Sequence, residues 1–149
     1  MIAIGSDPPG FSLKEEIIGY FKERGVEYTD CGAYDTGSCD YPVYGEKVAR
    51  AVTTREAARG IVICGTGIGI SMAANKVKGI RCALCADCYS AELARQHNDA
   101  NVLALGARVT GGGLARKIVE IFLNTEFEGG RHARRVALIG ALEERERNG

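Results

Sequence analysis

The chain has 149 residues, the length of one ordinary domain, and 46% of them are hydrophobic, which suffices for one sizeable core. Lysine plus arginine and aspartate plus glutamate each total 19. The chain therefore has no net charge that would attract a polyanion such as DNA or a charged membrane surface. We therefore expect a single domain over residues 1–149 that binds neither nucleic acid nor membrane.

The N-terminal residues and the cysteines indicate the cellular compartment of the protein. The segment MIAIGSDPPGF has no charged stretch ahead of a long apolar run, and nowhere do roughly 18 apolar residues occur consecutively. These features predict a soluble, unprocessed, cytoplasmic protein. The six cysteines fit reduced thiols better than disulfides, because a chain with this much core does not need cross-links.

Short apolar segments alternate with segments of helical period along the whole chain. In chain order, the predicted elements are strand 1–5, helix 11–24, strand 26–30, helix 43–57, strand 60–64, helix 68–77, strand 80–85, helix 88–98, strand 101–106, helix 112–125 and helix 132–147. The strands at 60–64 and 101–106 are nearly continuous in apolar residues, as buried strands should be. This alternation predicts an α/β fold, a parallel sheet with helices on both faces.

In such a sheet, ligands bind beyond the carboxyl ends of the strands, where the strand order reverses. The loops that qualify are 5–10, 31–42, 64–69, 85–89 and 106–111. Asp7 follows the first strand directly, where binding groups are expected. The polar loop 31–42 is expected to skirt the mouth of a site.

The most informative segment is the turn after the third predicted strand, Cys64-Gly65-Thr66-Gly67-Ile68-Gly69. Its glycines allow a tight turn and leave amide groups uncovered at a helix N-terminus, which favours an anionic oxygen there. The same field favours the thiolate form of Cys64, which can then remove a carbon-bound proton. Thr66 offers a hydroxyl that can move a proton between neighbouring oxygens. Nucleotide binding is the alternative, but the glycine spacing matches neither the dinucleotide nor the P-loop pattern.

A second candidate is the basic segment EGGRHARRV (128–136), which opens the last predicted helix. Cations at a helix N-terminus oppose the helix dipole, so Arg131, Arg134 and Arg135 cost stability unless an anion binds, and a phosphate is the simplest one. Arg131 and Arg135 lie four residues apart and share a helix face. A solvated basic face is the alternative interpretation.

Cys82, Cys85 and Cys88 have the spacing of part of an iron–sulfur or zinc site. However, Cys82 and Cys85 lie three residues apart on a predicted strand and therefore point to opposite faces. A further ligand would also be needed, and none follows at close spacing. We favour thiols that pack in the core.

Three segments together resemble the family of ribose-5-phosphate isomerase B and the galactose-6-phosphate isomerase subunits. They are ICGTGIGISMAANK (63–76), RQHNDANVLALGARV (95–109) and EGGRHARRV (128–136). The resemblance implies aldose–ketose isomerisation of a phosphorylated sugar through an enediolate, with neither metal nor cofactor. It also implies a Rossmann-like three-layer sandwich with five parallel strands in the order 2-1-3-4-5 and a C-terminal helix. Active sites would lie between two subunits of a homodimer or a dimer of dimers.

The resemblance further implies roles for individual residues. Cys64 would be the base and Thr66 a proton shuttle, while Asp7 and His97 would help to open the sugar ring. The substrate contacts would be Tyr41, Gly65, Gly67, Gly69 and Asn98, with Arg131 and Arg135 at the phosphate and Arg108 reaching the phosphate in the neighbouring subunit's site.

The sequence departs from the family in its first loop, which reads Asp7-Pro8-Pro9-Gly10-Phe11 instead of the usual Asp-His-x-Gly-Phe. The missing histidine lies at the substrate in similar enzymes. A different sugar phosphate, such as a tetrose phosphate or the 6-phosphate of galactose or allose, is therefore one alternative. A non-catalytic sugar-phosphate-binding subunit is another.

Overall fold

The computed structural model describes residues 1–37 and 39–148, so Ser38 of the predicted loop 31–42 lies outside the described residues. The described chain runs β1 (Ile2–Ser6), α1 (Phe11–Arg24), β2 (Tyr28–Asp30), α2 (Tyr41–Thr53), β3 (Arg59–Cys64), α3 (Ile68–Asn75), β4 (Cys82–Leu84), α4 (Cys88–Gln96), β5 (Val102–Gly106), α5 (Gly112–Asn124) and α6 (Arg131–Asn148). A 3-10 turn over Pro8–Gly10 precedes α1. The predicted alternation of strands and helices is confirmed.

The five strands form one parallel sheet in the order β2-β1-β3-β5-β4. The predicted order 2-1-3-4-5 is therefore wrong for the last two strands. Every residue of β5 is buried, which suits a central position beside β3. β4 has only three residues, and Leu84 is 42% exposed, which suits the edge of the sheet.

Helices cover both faces of the sheet and make two separate apolar cores. On one face, Ile61 and Ile63 of β3 pack with Phe21 of α1 and Phe122 of α5. On the other face, the residues that alternate with them in β3 pack against α2 and α3. This alternation follows from the two-residue period of a strand, and the three-layer α/β architecture is confirmed.

Two helices have features that matter for the site. α2 begins at Tyr41, two residues before the predicted start, because Pro42 occupies the first turn, where its missing N–H is not needed. Within α6, His132 is the one buried residue, and Leu138, Ile139 and Leu142 are about half exposed. The C-terminal helix thus presents an apolar face outside the two cores.

Across the described residues, we find no helix whose length and apolar character would let it cross a membrane.

Candidate active site

The centre of the candidate site is the turn between β3 and α3. Cys64 is the last residue of β3 and is 5% exposed. Its Sγ accepts a hydrogen bond of 3.1 Å from the backbone N–H of Gly67. Gly67 caps α3 with a φ of 80°, a conformation that glycine adopts without strain. The helix start therefore points a backbone donor at the sulfur.

Thr66 lies exposed at the tip of the same turn. Its Oγ1 accepts a hydrogen bond of 3.2 Å from the backbone N–H of Ile68. The sequence predicts uncovered amides in this turn, but those of Gly67 and Ile68 have acceptors in the side chains of Cys64 and Thr66. The two polar side chains of the turn are therefore oriented by the backbone that also starts the helix.

Asp7 reaches the same end of the sheet from β1. It is 7% exposed, and its Oδ1 accepts a hydrogen bond of 3.0 Å from the backbone N–H of Gly10. Burial raises the pKa of Asp7, while the Gly10 N–H and the positive charge of Arg108 oppose that shift. A carboxyl group that keeps its proton to higher pH is suited to exchanging protons with a sugar oxygen.

Arg108, in the loop after β5, lies against the Cys64 turn of its own chain. Its backbone N–H donates to the Gly65 carbonyl at 2.9 Å. Its guanidinium lies over Gly65, because a Cβ added there would come within 3.1 Å of Arg108 Nη1. The register of β3 with β5 brings the two loops together within one chain. That Arg108 reaches the phosphate in the neighbouring subunit's site stays a prediction.

Tyr41 completes this group of residues at the carboxyl end of the sheet. Its ring lies against Gly69, where an added Cβ would meet Tyr41 Cε1 at 2.6 Å. Tyr41 is 41% exposed, so one side of the ring faces outward. A side chain at position 69 would displace the tyrosine.

His97 and Asn98 lie at the opposite end of the sheet. His97 caps the C-terminus of α4, and both residues precede β5, which runs parallel to β3 with Val102 beside Gly60 and Gly106 beside Cys64. A five-residue strand spans roughly 15 Å. Within one chain, His97 and Cys64 therefore cannot contact the same carbon atoms of a small sugar.

The start of α6 lies beside His97. The imidazole ring of His97 stacks on that of His132, with ring centroids 4.1 Å apart and planes inclined by 9°. Burial lowers the pKa of His132, helped by the charges of His97, Arg131 and Arg135, while Glu128 opposes the shift. Arg131 and Arg135 themselves are exposed.

His132 is a residue that the sequence did not single out, because only one residue in its helix is buried and no apolar period marks that face. Its Nε2 is buried and has no hydrogen-bond partner among the described residues. The donor atoms of His97, Glu128 and His132 lie within 4.8 Å of one another. The positive charges of Arg131 and Arg135 lie close to this group and oppose a cation there.

The cysteine alternative is not supported in the described chain. Cys82 packs on the core that faces α2 and α3, whereas Cys85 and Cys88 pack on the other core. Burial raises the pKa of Cys82 strongly and that of Cys85 to about 11, so both thiols favour the protonated form. These properties fit packing thiols.

Comparisons with known proteins agree with this geometry. The profile of a family described as Ribose/Galactose Isomerase matches residues 2–139. Ribose-5-phosphate isomerase B of Escherichia coli is 54% identical, over 97% of both chains. D-erythrulose-4-phosphate isomerase of Pectobacterium atrosepticum is 45% identical, over 99% of this chain and 97% of its own length.

Solved structures give the same result. Ribose-5-phosphate isomerase B of Clostridium thermocellum superposes with a TM-score of 0.96 and 56% identity, over 97% of this chain and 98% of that one. The enzyme from Mycoplasma genitalium with bound ribulose 5-phosphate gives a TM-score of 0.91 and 43% identity, over 96% and 95% of the two chains. The family profile, the close relatives and the shared fold agree, and the chain belongs to the ribose/galactose isomerase family.

Proposed function

We propose that the protein interconverts ribose 5-phosphate and ribulose 5-phosphate through an enediolate, with Cys64 as the base, in a single cytoplasmic domain over residues 1–149. The observation that carries this proposal is the hydrogen bond from Gly67 N–H to Cys64 Sγ, at a helix start that Asp7 and Arg108 flank. The family membership and the relatives named for this reaction support it.

The proton transfer follows from the turn after β3. The Cys64 thiolate removes the proton from the carbon next to the carbonyl group, and the electron pair moves onto the carbonyl oxygen to give the enediolate. The dipole of α3 and the backbone N–H of Gly69 in its first turn stabilise that oxygen, because the N–H groups of Gly67 and Ile68 already donate to Cys64 and Thr66. Thr66 shifts the hydroxyl proton between the two oxygens, and return of the carbon-bound proton to the neighbouring carbon completes the reaction.

Ring opening and phosphate binding need groups from both ends of the sheet. Asp7 and His97 would exchange the protons of ring opening, Asn98 would contact the sugar, and Arg131 and Arg135 would hold the phosphate. Because His97 and Cys64 of one chain lie roughly a strand length apart, we propose that a second copy supplies these residues. The exposed apolar face of α6 supports a homodimer, since it offers a surface that a second copy can bury.

Arg108 takes a different place in this proposal from Arg131 and Arg135. Its guanidinium lies over Gly65 of its own chain, so we assign it to the substrate that Cys64 of the same chain acts upon. The exposed arginines at the start of α6 would then approach the same phosphate from the partner. A bidentate grip by guanidinium groups suits a phosphate dianion.

A tetrose phosphate is the second candidate substrate. Pro8 and Pro9 form the 3-10 turn after Asp7 and leave no histidine there, and one close relative is named for D-erythrulose 4-phosphate. A coupled assay of the purified chain against tetrose, pentose and hexose phosphates separates the candidates. We expect the highest kcat/KM for ribose 5-phosphate. A higher value for a tetrose or hexose phosphate would contradict that choice, and no turnover of any sugar phosphate would favour a non-catalytic binding subunit.

A further inference from the structure

The turn that carries His97 and Asn98 ends at Asp99, a non-glycine residue with a φ of 48°. Aspartate and asparagine are among the few non-glycine residues that tolerate this left-handed region, and they do so best when local hydrogen bonds hold them. The conformation of Asp99 therefore needs support from its surroundings.

Two arginines supply that support. Arg95, which is 4% exposed, donates from Nη1 to Asp99 Oδ1 at 2.8 Å and to the Ala100 carbonyl at 2.7 Å. Arg81 donates from Nη2 to the Asp99 carbonyl at 2.8 Å and from Nε to the Asn98 carbonyl at 3.1 Å. We call Arg81, Asp99 and Arg95 the arginine clamp.

The arginine clamp fixes the turn from both sides. Carbonyl oxygens of three successive residues, from Asn98 to Ala100, accept hydrogen bonds from guanidinium groups, whose planar forks hold their acceptors in one geometry. The ring of His97, one residue earlier, lies flat on His132. Rotation of the turn would move His97 off this ring and Asn98 away from its present position.

We propose that the arginine clamp is a set of positioning residues that hold His97 and Asn98 ready for opening of the sugar ring. This inference rests on the proposed function, because it gives the clamp a role in one step of that reaction. A displacement of about 1 Å in a reacting group costs up to roughly 100-fold in rate. The clamp should therefore affect ring opening more than proton transfer at Cys64.

The chemistry of the two sugars separates these steps. Ribose 5-phosphate closes a five-membered ring through its 4-hydroxyl and must be opened. Ribulose 5-phosphate cannot close the equivalent ring, because its 5-oxygen carries the phosphate. Exchange of its C1 hydrogens with solvent deuterium therefore reports proton transfer without ring opening.

Asp99→Asn is the informative variant, because asparagine tolerates the same backbone conformation while the charge facing Arg81 and Arg95 is lost. Arg81→Gln is the second variant and removes the clamp from its more exposed side. Glu46→Gln is the matched control, since Glu46 pairs with Arg50 at 3.0 Å on the exposed surface of α2. Urea unfolding of each protein shows whether the fold is retained.

We expect Asp99→Asn and Arg81→Gln to lower kcat/KM for ribose 5-phosphate by about 10- to 100-fold, with deuterium exchange into ribulose 5-phosphate within about twofold of the parent. Glu46→Gln should change neither. Unchanged isomerisation, or an equal fall in both rates, would overturn the inference. If Asp99→Asn did not fold, the two rates of Arg81→Gln would test the inference.

The outcome for the parent protein separates this inference from the function on which it rests. If the parent failed to exchange the C1 hydrogens of ribulose 5-phosphate, the proposed function would be contradicted, together with this role of the clamp. If the parent exchanged these hydrogens and the Asp99→Asn and Arg81→Gln variants isomerised ribose 5-phosphate at the parent rate, only the role of the arginine clamp would be contradicted.

Discussion

The backbone N–H of Gly67 donates a hydrogen bond of 3.1 Å to the Sγ of Cys64. This contact joins the end of the buried strand β3 to the start of α3, since Gly67 caps that helix. The nearly buried sulfur therefore lies at the N-terminal end of α3 and accepts from its capping residue. This is the atom that we propose acts as the base.

Gly67→Ala tests how strongly this turn depends on glycine. Position 67 has a φ of 80°, and an added Cβ would lie 2.8 Å from the carbonyl carbon of Leu105. We expect the free energy of unfolding to fall by about 2 kcal/mol and the isomerase activity to fall with it, because the turn must shift. Urea unfolding measures the first effect and a coupled assay the second.

Gly19→Ala is the matched control for this substitution. Gly19 lies inside α1, and no atom of the described residues lies within 4 Å of an added Cβ. Alanine is the better helix former there, by up to about 1 kcal/mol. The control should therefore be at least as stable as the parent. A Gly67→Ala protein of parent stability would mean that the turn does not require a left-handed residue.

Mixing two inactive variants tests whether the site is shared between chains. Cys64→Ala lacks the proposed base and His97→Ala lacks the ring-opening group, so each protein alone should be inactive. In a mixed dimer of a shared site, one of the two sites contains both residues. Random exchange of subunits should then restore up to about a quarter of the parent activity.

The mixture has a clear control and a clear counter-result. Cys64→Ala mixed with Arg108→Ala should stay inactive, because Arg108 lies over Gly65 in the same chain as Cys64. Each site of a mixed dimer then takes both residues from one chain, and therefore lacks either Cys64 or Arg108. Restored activity in that control would show that Arg108 acts in the neighbouring subunit's site. Unrestored activity in the first mixture, with subunit exchange verified by mass spectrometry, would contradict a shared site.

The sequence predicted those parts of the site that depend on local pattern. The glycines that follow Cys64 predict a tight turn into a helix, and the structure contains that turn. The order of the last two strands cannot be predicted from local sequence patterns, because it depends on long-range pairing: β5 pairs with β3, and β4 pairs with β5. The nearly continuous apolar segment 101–106 is the sequence feature that could have indicated a central position for β5.

The positions of Arg108 and His97 also required the structure. Both residues lie close in sequence, on either side of β5, and sequence alone does not say which partner each one meets. The parallel register places Arg108 at the Cys64 end and His97 at the other end. Which residues share a site is thus decided by strand direction rather than by sequence distance.

The stacked histidines predict a pH dependence of stability. The pKa of His132 is lowered in the folded chain, so below about 6.5 the unfolded chain binds a proton that the folded chain resists. The stability due to neutral His132 is therefore present above that pH and is lost as the pH falls toward the lowered pKa. Urea unfolding at pH 5.5 and 7.5 should show a smaller difference for His132→Asn than for the parent.

Glu128→Gln should change this pH dependence in the opposite direction. The Glu128 carboxylate opposes the shift in His132, so its removal lowers the pKa of His132 further and widens the window in which acid destabilises the fold. Equal pH dependence in the parent, His132→Asn and Glu128→Gln would show that His132 does not govern acid stability.

Deuterium exchange catalysed by Cys64→Ala, followed by proton NMR of ribulose 5-phosphate in deuterated buffer, tests whether Cys64 is the base. Removal of the base should slow exchange at C1 and isomerisation together by about 1000-fold, whereas Cys39→Ala, which removes an exposed thiol, should retain both. Exchange by Cys64→Ala at the parent rate would contradict the assignment of Cys64 as the base.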